Sequence, residues 1–247
     1  QSLLRESALR LLAGAIRTLG ITASSDSASS LCALASSAES EVRAAVAAAL
    51  GSLHHDCVEP TLRKLTEDAV VYVRLLAGGS YVRTPRRDPA VVRRLFRDRG
   101  PRVGTHAALA LAERAGPEEL ALLWEYLSAE PRSSEVISAL GKTRSSEVTA
   151  FMRELLTSEQ GSDVLTRAQA LGYLRDVADP QSLPLFTRAL QSSYIGERTA
   201  AAEGIAALGA RSAVPALTAL LADQNPHGRL AAARRWSSCV PAKPARR

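Results

Sequence analysis

The stretch "EVRAAVAAALGSL", residues 41–53, returns in altered form as "YVRLLAGG" from residue 72. Its arginine, Arg43, lies 31 residues before Arg74, and the same step runs on through Thr105, Val136, Arg167, Arg198 and Arg229. Five of those seven positions hold arginine, and the context recurs in "TRAQALGYL", "ERTAAAEGI" and "GRLAAARRW". Other columns keep the interval. Pro184 and Pro215 are one period apart, Pro60 lies five periods before Pro215, and Ala178 lies one period before Gly209. A fixed period of this length marks stacked supersecondary units rather than one irregular domain.

The chemistry of the unit is helical. Alanine and leucine are strong helix formers, and aromatics are only 4% of the 247 residues, so the enrichment expected of strands is missing. Apolar residues recur three and four apart: Ala168, Leu171, Leu174 and Val177 in one segment, Val91, Val92, Leu95 and Phe96 in another. Proline falls near the start of each second helix, where its missing N–H costs nothing. In "DPAVVRRLF" and "DPQSLPLF" an aspartate precedes that start and reads as an N-cap. The expectation is an all-α solenoid, a right-handed superhelix of two-helix repeats of about 31 residues. The approximate units are 4–38, 39–68, 69–99, 100–130, 131–161, 162–192 and 193–223, with part of another from 225. A single solenoid thus spans 1–236, and 237–247 reads as a flexible basic tail.

With "VRxxAAxALG" opening the unit and a short proline-led helix closing it, the chain resembles the HEAT-like repeats of the phycobilisome-lyase type. The resemblance covers residues 39–236 and implies the fold. For function it implies a choice among scaffolds, adaptors, chromophore lyases, hydroxylases and DNA glycosylase-like proteins, because a fold does not select a chemistry.

Three regions depart from the pattern. Serine-rich residues 21–40 read as a long loop entering a short helix. Residues 77–90, "AGGSYVRTPRRDPA", read as a glycine- and arginine-rich excursion in place of a tight turn, and residues 128–148 as a worn repeat. Cys32, Cys57 and Cys239 lack the number and spacing of a disulfide framework or a metal site and read as buried or idle thiols. No run of 18 apolar residues suggests a membrane span. This reading favours the cytoplasm, while a chain starting at Gln1 leaves open whether an N-terminal segment has been removed.

Charge is unevenly placed. Residues 83–102, "RTPRRDPAVVRRLFRDRGPR", hold eight arginines and two aspartates, a net +6 that equals the charge of the whole chain. The tail from Arg229 adds another +6, so the remainder is acidic. Arg83, Arg86, Arg87, Arg93, Arg94, Arg97, Arg99 and Arg102 are therefore the candidate partner-binding residues. Guanidinium groups suit an acidic protein surface or phosphates, and a merely solvated face is the plain alternative. The protein partner is favoured over nucleic acid, because only Tyr81 and Phe96 lie nearby for base stacking. The periodic Arg43, Arg74, Arg167, Arg198 and Arg229 are instead structural candidates, reaching acids of the adjoining unit, with Asp179 and Asp223 as examples.

No enzyme emerges. There is no glycine-rich phosphate loop, GxSxG or HExxH, and no cofactor is called for. "HHDC" at 54–57 reads as a polar turn rather than a metal site. The resemblance to HEAT-like glycosylases would press Trp124, Trp236, Glu118 or Glu125 into service, but Trp124 in "ELALLWEYL" reads as core. A chromophore-lyase reading would use arginines against propionates. Oligomeric state is not encoded in any of these features.

Overall fold

The computed structural model describes residues 14, 16, 25–114, 116–129, 134–158, 163–209 and 214–239. Among the described residues every regular element is helical. The chain runs through α1 (Ser25–Leu34), α2 (Ser40–Leu50), α3 (Val58–Leu65), α4 (Val71–Tyr81), α5 (Pro89–Phe96), α6 (Val103–Ala112) and α7 (Pro117–Ala129). It continues as α8 (Ser134–Leu140), α9 (Ser146–Thr157), α10 (Val164–Asp176), α11 (Leu183–Ala189), α12 (Ile195–Ala207), α13 (Val214–Leu220) and α14 (Pro226–Cys239). A single 3-10 turn, Pro180–Ser182, leads into α11. The even-numbered helices begin at residues 40, 71, 103, 134, 164, 195 and 226, which carries the sequence period directly into the backbone. Most of the first expected unit and residues 240–247 of the expected tail lie outside the described residues.

The described chain forms two compact units, one through Arg114 with Ala121–Tyr126, the other made of the rest. Within the first, α2 packs on α4 and α4 on α6, while α3 and α5 lie against α4 and α6. Within the second, α10 packs on α12 and α12 on α14, with α11 and α13 covering α12 and α14. An even-numbered helix therefore has neighbours on several sides, and small residues suit it. Ala44, Ala45, Ala47 and Ala49 are all buried in α2, and Ala107, Ala108, Ala110 and Ala112 in α6. The odd-numbered helices have one wet face. In α5 Val91, Val92 and Leu95 are buried while Arg93 and Arg94 point out. Phe96 is half-buried and sits 4.9 Å from the Tyr126 ring.

Backbone chemistry explains the helix ends. Asp88 caps α5 by accepting the Ala90 N–H at 2.8 Å, with Pro89 in the first turn. Asp179 makes no such cap; its carboxylate takes the Ser182 hydroxyl and Arg153 instead. After α12 the chain turns at Gly209 with φ of 59°, and after α10 Ala178 adopts the same left-handed conformation at 49°. Gly104 is demanded by proximity, since a Cβ there would lie 2.9 Å from the Phe96 carbonyl oxygen.

Three further sequence expectations need correction, beside the missing Asp179 cap. Residues 25–34 are helix rather than loop, since Ala28 and Leu31 find a buried seat beside α2. Gly78 and Gly79 belong to α4, and only 82–88 leave the helix, because small residues are needed where α4 meets Leu95 and His106. Cys32 and Cys57 are not idle thiols but form a disulfide, with Cα atoms 6.4 Å apart across 25 residues. Sequence distance was the wrong measure: in a stacked array a residue's spatial neighbour lies most of one period away.

Candidate functional site

The arginine column forms a repeated ion-pair geometry. Arg43 donates through Nε and Nη2 to both oxygens of Asp68 at 2.7 and 3.0 Å, and through Nη1 to the carbonyls of Ser37 and Ala38. Arg74 does the same with Asp98 at 2.8 and 3.0 Å and with the carbonyls of Asp68 and Ala69. Arg198 repeats it with Asp223 at 2.6 and 2.9 Å and with the carbonyls of Ser192 and Ser193. Each aspartate also accepts an N–H two residues on, from Val70, Gly100 or Asn225, which shapes the inter-repeat turn. The guanidinium partner holds the carboxyls of Asp68, Asp98 and Asp223 below the usual carboxylate range, against the opposing effect of burial. Arg229 keeps the backbone half of the motif, donating to the carbonyls of Asp223 and Gln224. Arg167 departs from it: Ser192 occupies the aspartate register, and the guanidinium turns to Glu197 at 3.1 Å.

The second arginine group lies on the 82–88 loop, α5 and the turn that follows. Buried Tyr81 anchors the loop by accepting the Asp88 N–H on its phenolic oxygen at 2.8 Å. Acids from outside the stretch pair closely with three of its arginines: Arg83 with Glu113 at 3.0 Å, Arg93 with Glu125 at 2.8 Å and Arg94 with Glu67 at 2.5 Å. Arg86 and Asp56 are 3.9 Å apart and 86% and 97% exposed, too wet to hold each other firmly. Arg87 is half-buried in the loop, and exposed Arg102 takes a left-handed φ of 66° at the start of α6. Arg97 and Arg99 are exposed and, among the described residues, form no ion pair, although the Arg97 charge helps to lower Glu125. Three of the eight arginines are thus met by carboxylates a repeat away, a relation that linear spacing conceals.

Between the turn at 66–69 and the turn at 97–99 lies an open groove of about 800 Å³, rimmed by Arg93, Arg94, Arg97 and Arg99 and backed by the Arg74–Asp98 pair. The second unit has an equivalent groove of about 450 Å³ on its own Arg198–Asp223 pair, but its rim is Gln191, Ser192, Ser193 and Gln224. Other sequence candidates do not gather. Among the described residues no set of three metal-ligating side chains occurs. His55 accepts the Cys57 N–H at 3.2 Å and Cys57 is bonded to sulfur. Glu125 is engaged by Arg93, and Trp124 is half-buried. The side chain of Trp236 lies outside the described residues.

Residues 197–223 match the family model of the PBS lyase HEAT-like repeat. The chain is a HEAT-like repeat solenoid. A Kap121p mutant is similar over 85% of this chain and 28% of that one, with a TM-score of 0.52 and 12% identity. The E. coli protein YIBA is similar at 17% identity with a TM-score of 0.46, over 91% of this solenoid and 85% of that chain. Human deoxyhypusine hydroxylase is similar at 17% identity and a TM-score of 0.40, over 96% and 98%. No curated protein sequence matches the solenoid. Among the described residues no helix is long and apolar enough to cross a membrane.

Proposed function

We propose that this solenoid is a non-catalytic scaffold that docks an acidic protein partner in the groove between the 66–69 and 97–99 turns. The observation supporting this is the state of Arg97 and Arg99, which stand exposed on the rim while the guanidinium groups around them are matched to acids. Two unmatched cations beside a groove attract a carboxylate-bearing surface and speed its encounter. The second unit offers an internal comparison: its equivalent groove has a neutral rim, so the arginines are not a general demand of the repeat. Arg102 adds weight, because a non-glycine residue in the left-handed region is strained, and such strain tends to persist where a side chain is used.

The test compares wild type with Arg97→Glu/Arg99→Glu, using fluorescent polyglutamate and a DNA duplex as probes at two salt concentrations. Polyglutamate binding is expected to weaken at least about ten-fold in the variant and to fall with salt in the wild type. Loss of duplex binding alone would favour the nucleic-acid reading, with its steep salt dependence. Equal binding of both probes by both proteins would reduce the patch to a solvated surface.

A further inference from the structure

Among the described residues α1 rests on α2 and α3 through few apolar side chains. Its sequence, "SDSASSLCAL", is half serine and aspartate by count, and among its described side chains Ala28 and Leu31 are the buried ones while Leu34 is 40% exposed. Ten residues of such composition are short for a helix to persist unsupported. Two further ties join it to the turn before α3. One is His55, whose ring lies 3.4 Å from the Ser29 hydroxyl on one side and accepts the Cys57 N–H on the other. The second is the Cys32–Cys57 bond, which links the last turn of α1 to the residue capping α3. Both cysteines are half-buried rather than sealed in the core, and residues 54–56 next to Cys57 are exposed.

We propose that Cys32–Cys57 is a thiol–disulfide exchange site whose redox state decides whether α1 stays docked. The substrate class is a dithiol reductant or a low-molecular-weight thiol. Its thiolate attacks one cysteine sulfur, forming a mixed disulfide and expelling the other cysteine as a thiolate, which takes a proton from water. A second thiolate, the other one of a dithiol or that of a second monothiol molecule, then attacks the reductant's sulfur in the mixed disulfide and releases the remaining cysteine. Two electrons and two protons pass to the protein, and the reductant leaves as its own disulfide. Without the bond the 25-residue loop regains its freedom, and among the described residues α1 keeps its small apolar seat and the contact of Ser29 with His55. This inference is independent of the acidic-partner reading.

The experiment uses the full chain with Cys239→Ser, equilibrated in oxidised or reduced glutathione. After thiol alkylation and trypsin digestion, the oxidised sample should contain peptides 18–43 and 44–63 joined by a bond that dithiothreitol removes. Amide exchange across residues 27–34 should then accelerate roughly 10–100-fold on reduction, with α4 and α6 unchanged. Cys32→Ala/Cys57→Ala should show the fast exchange in both buffers. Absence of the linked peptides in oxidised buffer would overturn the proposal. So would exchange at 27–34 that ignores reduction, or acceleration spread equally over α4 and α6.

Discussion

Arg198 grips Asp223 with the geometry by which Arg43 grips Asp68, Nε and Nη2 on the two carboxylate oxygens at 2.6–3.0 Å, although 155 residues separate the two arginines. The carboxylates are 7% and 9% exposed, so each pair has largely left water and relies on its partner. Such a pair adds little over a well-packed apolar substitute, yet removing one half is costly.

Asp98→Ala should therefore destabilise the first unit by roughly 3–5 kcal/mol, since it leaves Arg74, 17% exposed, without its acid. Asp98→Asn should cost less because the amide still accepts. The depressed carboxyls also set acid sensitivity. A group whose folded pKa is lowered supports the fold above its unfolded value and ceases to do so as pH falls through the folded one. Stability should thus decline as pH drops below 3.8, and chemical denaturation across that range would reveal it. An acid midpoint unmoved by Asp98→Ala would contradict this assignment.

Glu197 is 3% exposed and occupies the register held by Val42 and Val73 in earlier repeats. Glu197→Val alone should destabilise, since Arg167 loses its acid. Adding Ser192→Asp restores an acid in the aspartate register and should more than recover the loss, leaving the double variant at least about 0.5 kcal/mol above wild type. Urea melts of the four proteins close the cycle, and additive effects would show that Arg167 does not exchange partners.

Ala178 stands where Gly209 stands one repeat later, with φ of 49° against 59°. A side chain in that conformation is disfavoured by about 1 kcal/mol, so Ala178→Gly should stabilise by a comparable amount. A lower melting temperature for the variant would refute it.

His106 is half-buried against Gly79, and among the described residues its Nδ1 has no hydrogen-bond partner. Burial foremost, and then the Arg83 charge, push its pKa below 6.5, with the Leu75 carbonyl and Glu113 opposing. Unfolding then takes up a proton in the window just below 6.5, so stability should fall as pH drops through it. In His106→Gln that slope between neutral and mildly acidic pH should disappear.

The period was legible because the residues that carry it are chemically unusual for their surroundings: an arginine amid alanines at 43, 74, 167, 198 and 229. Helix class followed from composition, and the wet face of α5 from the spacing of Val91, Val92 and Leu95. What stayed hidden lies across the stack. Glu67, Glu113 and Glu125 neutralise Arg94, Arg83 and Arg93 from 27 to 32 residues away, and the disulfide spans 25. A signal was present, since Cys32 to Cys57, Arg43 to Asp68 and Arg198 to Asp223 share that same offset of 25 residues. Reading pairs at that separation, rather than along the strand of letters, would have found all three.

Asp68 belongs to two motifs at once, its carboxylate to Arg43 and its carbonyl to Arg74. A stretch of chain copied with a length of one period therefore brings along a donor for the turn before it and an acceptor for the helix before it. Tandem duplication of such a block would produce working joints at both seams without further mutation. Growth and shortening of the array by whole repeats are then genetically cheap.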